Sequence, residues 1–223
     1  MYNSSSELIK NELSNDLLQP IYNIFEDATI VFTELIDKEQ DIFRGSYFGE
    51  FKGRLINYII KRFFDVDRIP KSFPFEVNAI GMAFGQKRTE LKRGNLLLTL
   101  GRAQNPNMLP GFSQYKKEYS LGNSTIGKQL KLYEDKNEIK VGDVPYYGII
   151  TYNLRNDKLD FLNIVIPDSE YRNVIDYIPI TQKLRLVRKE YLNNDDTYER
   201  VLGRENIKKD IIDSIKKYEQ EMR

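Results

Sequence analysis

Lys87–Gln104 reads KRTELKRGNLLLTLGRAQ, a polar segment followed by the turn signal Arg93-Gly94-Asn95 and then by LLLTL. Charged side chains recurring through Lys87–Lys92 suit an extended segment with one wet face. Five residues that are apolar on both faces suit a central strand covered from both sides. A sheet with a layer on each face is the expectation. Upstream, Phe73, Phe75, Val77 and Ala79 alternate with Glu76 and Asn78, the period of two that marks another strand. Downstream, VPYYGIITYN (Val144–Asn153) and KLDFLNIVIPD (Lys158–Asp168) predict two more strands, joined by a hairpin turn at RNDK, and QKLRLV (Gln182–Val187) predicts an edge strand.

Around these strands the period lengthens. Ser4-x-x-Glu7 has the spacing of a capping box, and Leu8, Leu13, Leu17, Ile21, Ile24 and Phe25 follow at helical intervals, with Pro20 predicted to separate two helices. In GEFKGRLINYIIKRFF (Gly49–Phe64), Phe51, Leu55, Ile59 and Phe63 recur every four residues, leaving Lys52, Lys61 and Arg62 for water. Pro70 and Pro74 end that helix. RENIKKDIIDSIKKYEQEMR (Arg204–Arg223) aligns Ile207, Ile211, Ile215, Tyr218 and Met222 on one stripe, which docks on the sheet or meets another chain, a second copy included. Gln104–Gly142 is rich in Pro, Gly and Asn and holds one short helical stretch, FSQYKKEYS; loops of that length are commonly functional or mobile.

The expected fold is therefore α/β, with α+β as the alternative: a mixed central sheet flanked by helices, with a helical segment over residues 1–45 and one domain over 46–223. Strands are not regularly separated by helices, which argues against a doubly wound parallel sheet.

Composition removes whole classes of chemistry. The chain of 223 residues has no cysteine, which excludes disulfides, thiolate nucleophiles and cysteine-bound metals and points to the cytoplasm. It also has no histidine, which excludes serine-histidine triads and zinc hydrolases. Carboxylate and lysine chemistry with a hard cation such as magnesium remains. No GxxxxGK[ST] or GxGxxG occurs. The N-terminus lacks an export signature, and no run of about 18 apolar residues suggests a membrane span. Abundant Lys, Asn, Ile and Tyr suggest a bacterial or phage genome low in G and C.

Charge is unevenly spread. Met1–Glu50 carries three basic residues against ten acidic, whereas Lys87–Lys117 carries seven basic residues against Glu90 alone. The basic block suits nucleic acid phosphates, or an acidic segment of the same molecule or of a partner.

In a strand Glu90 and Lys92 share a face, and Glu76 on the preceding strand can join them if the two pair. This arrangement resembles the PD-(D/E)xK nuclease superfamily, whose members carry an acid on one strand and Glu-x-Lys on the next, beside a helix. The resemblance rests on Glu76, Glu90 and Lys92 and spans about Glu50 to Asp168. It implies magnesium held by Glu76 and Glu90, an attacking water positioned by Lys92, and cleavage of DNA or RNA. The family usually has aspartate after proline where this chain has Phe73-Pro74-Phe75-Glu76, and a long helix where this chain has the irregular Gln104–Gly142 segment. Two versions follow, an active nuclease and a scaffold that binds without cutting. In either, Arg88, Arg93, Arg102, Lys116 and Lys117, interspersed with amides and with Phe112 and Tyr115, are the expected nucleic-acid contacts. A different reading is a non-catalytic regulator or inhibitor that engages a protein partner through the acidic N-terminal helices and the long loop.

Overall fold

The computed structural model describes residues 4–43, 45–126, 145–180 and 194–221. In chain order the elements are α1 (Ser5–Glu12), α2 (Asn15–Lys38), α3 (Gln40–Phe43), α4 (Phe48–Phe63), β1 (Glu76–Gly81), β2 (Lys87–Arg93), β3 (Leu96–Arg102), α5 (Gln114–Ser120), β4 (Tyr146–Arg155), β5 (Lys158–Pro167), β6 (Val174–Pro179) and α6 (Asn194–Glu221). The six strands form one mixed sheet in sequential order, antiparallel throughout except for the parallel β3/β4 pair. It is an α/β fold in which two three-stranded meanders are joined side by side.

Local chemistry sets these boundaries. Ser4 caps α1 by accepting the Glu7 backbone N–H at 3.2 Å. The break between the first two helices falls at Leu13-Ser14 rather than at Pro20, which lies inside α2. Pro20 stands in the second turn, where its missing N–H leaves only the Asp16 carbonyl without a helical partner. The β4/β5 hairpin turns through Asn156 and Asp157, with φ of 51° and 62°, the left-handed pair that matches the twist of the flanking strands. Val174–Pro179 forms β6, a strand the sequence reading passes over. The edge strand expected at Gln182–Val187 lies outside the described residues, as does most of the later half of the Gln104–Gly142 loop.

One face of the sheet meets the long helices. Leu91, Leu96, Leu98, Tyr146, Ile150, Tyr152, Leu162, Ile164 and Ile166 face Phe25, Val31, Phe32, Ile56, Ile59, Ile60, Ile207 and Ile211 in a continuous buried core. Gly148 permits the closest packing within that layer, since a Cβ there would lie 2.7 Å from Leu98 Cδ2. The C-terminal helix docks on α2 and α4. A charged clasp accompanies the apolar contact: Arg200 donates to both carboxylate oxygens of buried Asp27, at 2.9 and 2.8 Å, and to Glu26 at 3.1 Å, while Lys208 pairs with Glu34. The acidic helix α2 thus meets basic residues of α6, at Arg200, Arg204 and Lys208, while the Glu12 carboxylate of α1 lies against Gly94 of the central basic block.

The other face carries Leu97, Tyr147, Ile149, Val165 and Tyr171, covered by α5 and by the loop that follows β3. Asn163 donates to the Pro106 carbonyl at 3.0 Å and Tyr171 to that of Pro110 at 2.8 Å. Gly101 lets the Pro110 ring rest on β3, for a Cβ there would come within 2.5 Å of it. Asn123, completely buried, closes this layer by bonding both the N–H and the carbonyl of Tyr147.

Candidate nucleic-acid interface

Strands β1 and β2 pair as the spacing of their acids requires. Glu76 is opposite Lys92 and Asn78 opposite Glu90, so Glu76, Glu90 and Lys92 share the face covered elsewhere by α5. Their surroundings diverge. Glu76 is exposed on the edge strand and accepts from Asn78 Nδ2 at 3.1 Å. Glu90 is only 8% exposed, beneath α5. Its Oε1 accepts from Arg88 Nε at 2.6 Å and from the Tyr119 hydroxyl at 2.7 Å, and Arg88 also donates to that hydroxyl. The Arg88 guanidinium carbon lies 4.4 Å from the centre of the Tyr115 ring and 5.1 Å from that of Tyr119. Burial works against the charge on Arg88, but the hydrogen bond and charge of Glu90 outweigh it and hold the guanidinium above its ordinary pKa. Burial, reinforced by Glu90, raises the Tyr119 hydroxyl. Next to this group Thr99 and Tyr147 share a buried hydrogen bond of 2.7 Å.

Glu90 does not present a fully open carboxylate to a cation. A hard metal needs carboxylate oxygens open to it, and Glu90 Oε1 already accepts from a guanidinium and a phenol. Among the described residues, no group of three acids is placed to hold a metal. Through the Tyr119 hydroxyl, Glu90 fastens α5 to β2.

The basic residues expected to act together are divided by the sheet. Arg88 and Lys92 face the α5 side, whereas Arg93 and Arg102 alternate to the helical side. Arg88 is paired as described. Arg93 reaches the Pro74 carbonyl at 3.4 Å. Lys116 is buried, donates to the Gly111 carbonyl at 2.6 Å, and has its pKa lowered by burial; it holds the loop rather than facing a ligand. Lys117 is half-buried and Lys92 exposed.

A different cationic grouping borders α4. Lys61 donates to the carbonyl of Lys87, the first residue of β2, at 2.7 Å. Arg102, at the end of β3, donates to Asn153 at 3.2 Å, with its guanidinium against Gly53 of α4. Lys87, Arg102 and Arg54 are exposed. Lys52 is paired with Asp157 at 2.5 Å, and Arg62 with Asp65 and Asp210. Arg54, Lys87 and Arg102 form a basic rim where β2 begins and β3 ends, with half-buried Lys61, its pKa lowered by burial, bracing it through the Lys87 carbonyl. A hollow of about 320 Å³ between α2 and α6 is also lined by lysines, at 38, 208, 209 and 216, but Lys208 there is neutralised by Glu34 and Glu205.

No family model, curated protein or solved structure matches this chain. Among the described residues no helix is long and apolar enough to cross a membrane.

Proposed function

We propose that this protein binds nucleic acid, through the basic rim along α4, and that it does so without metal-dependent cleavage. The observation that carries the reading is the grouping of the exposed Arg54, Lys87 and Arg102 around one flank of a helix whose only acidic residue is Glu50. Ammonium and guanidinium groups spaced along an exposed ridge suit the repeating charge of a phosphodiester backbone. The cleaving version, with Glu76 and Glu90 on magnesium and Lys92 positioning water, has the weaker support because Arg88 and Tyr119 engage Glu90.

The test is titration of labelled DNA and RNA at several salt concentrations. Affinity should fall steeply as salt rises, and Lys87→Ala with Arg102→Ala should reduce the slope of log affinity against log salt by about 2, roughly one per phosphate contact. Absence of binding at low salt removes the reading. Magnesium-dependent cutting that Lys92→Ala abolishes would restore the catalytic version.

A further inference from the structure

From the exposed face of α4 we infer that the nucleic acid taken by this rim is single-stranded, with unpaired bases stacked on aromatic rings of that helix. The inference rests on the binding function proposed above and specifies its substrate class.

Tyr47, Phe51, Arg54, Tyr58 and Lys61 recur at i, i+4, i+7, i+11 and i+14, one stripe of a helix. Opposite them, Leu55, Ile56, Ile59 and Ile60 are buried in the core. Tyr47 is 79% exposed, Phe51 50% and Tyr58 45%, so three rings stand on the outer surface with no covering layer among the described residues. Isolated exposed aromatics are ordinary, but three aligned on one turn-spaced stripe are a patch.

Charge selects the occupant. The stripe itself carries Arg54 and Lys61, and the neighbouring rim adds Lys87 and Arg102, with Glu50 the sole acid on the helix. A polyanion is favoured over an apolar protein surface. Ring faces then choose between forms of nucleic acid: in a duplex each base is covered by its neighbours, whereas in a single strand it can lie on tyrosine or phenylalanine. From Tyr47 to Tyr58 the helix rises about 16 Å, room for a few nucleotides of a single strand. The rim lies along the same helix, so backbone and bases can be engaged together.

The test uses the intact protein with a labelled oligothymidylate, a duplex of the same length, and anionic vesicles, all at low salt. The single strand should bind at least about tenfold more tightly than the duplex, and Tyr47→Ala or Tyr58→Ala should each weaken it by about tenfold. Because both rings are exposed, the variants should melt with the parent protein. Tyr58→Phe, which keeps a ring, should retain binding. Equal affinity for single strand and duplex, or single-strand binding unchanged in Tyr47→Ala/Phe51→Ala/Tyr58→Ala, overturns the inference while leaving nucleic-acid binding intact. Binding of vesicles alone, or of none of the three, removes the broader reading with it.

Discussion

Two patches built from the same residue types lie on opposite sides of the sheet. Arg88, with Tyr115 and Tyr119, is enclosed between β2 and α5 and tied to Glu90; Arg54, with Tyr47 and Tyr58, stands in the open on α4. The enclosed arginine contributes to holding a layer in place, while the open one is available to an outside anion. Residue type alone does not separate structure from recognition. Burial and the identity of the nearest carboxylate do.

Stability measurements by denaturant titration should sharpen this contrast. A third arginine sets the upper end: Arg200→Ala leaves buried Asp27 facing Arg204 at 3.8 Å as its remaining cation among the described residues, and should cost about 3 kcal/mol. Arg88→Ala should cost about 2 kcal/mol, since Glu90 would remain beneath α5 without its cation. Replacing both partners, as Arg88→Leu with Glu90→Leu, should recover most of that loss, because no unpaired charge is left behind. Arg54→Ala should change stability by less than about 0.5 kcal/mol while weakening nucleic-acid binding. A stability loss for Arg54→Ala equal to that for Arg88→Ala would erase the distinction.

The smallest expected effect is pH-dependent and belongs to the α5 side. Burial nudges Asp168 upward, but hydrogen bonds from the backbone N–H groups of Arg172 and Asn173 and from the Asn173 side chain outweigh it and hold the carboxyl below its ordinary value. A carboxylate lowered in the folded state stabilises above its unfolded pKa of about 4, and that contribution is lost as pH falls through the folded value. Asp168→Asn should therefore flatten the acid limb of the stability profile and leave its alkaline limb unchanged.

Much of the fold is legible in the order of residues. The alternation in Phe73–Ala79 overlaps β1 only from Glu76, with Phe73 and Phe75 before the strand and Ala79 exposed, whereas the unbroken Leu96–Leu98 run corresponds to a strand buried on both faces, and Asn156-Asp157 supplies the hairpin turn. Pro20 misleads because proline is tolerated near a helix start. Phe51 misleads for a geometric reason. A strict repeat of four drifts about 40° per step on a helix of 3.6 residues per turn, so Phe51 and Phe63 cannot both centre on the stripe through Leu55 and Ile59. The adjacent pairs Leu55-Ile56 and Ile59-Ile60 mark the true centre and turn Phe51 outward.

The candidate site was less legible, though signals were present. Period two places Arg88 on the same face as Glu90, a pairing open to view before any partner strand is known. Arg200, Arg204 and Lys208 at steps of four mark the basic stripe that meets acidic α2. Burial of Lys116 beside half-buried Lys117 had no comparable signal, because it depends on where the loop from Gly101 comes to rest.

The single parallel pairing carries a consequence for how the chain matures. Every antiparallel ladder joins neighbours along the chain through a short reversal, whereas Leu96 must find Tyr146 across the whole intervening crossover. Loop-closure entropy makes that junction the slow event, with each hairpin array able to assemble earlier and locally. Pulsed amide exchange during refolding should accordingly protect the two hairpin arrays before the β3/β4 boundary, where the nascent protein is last to knit.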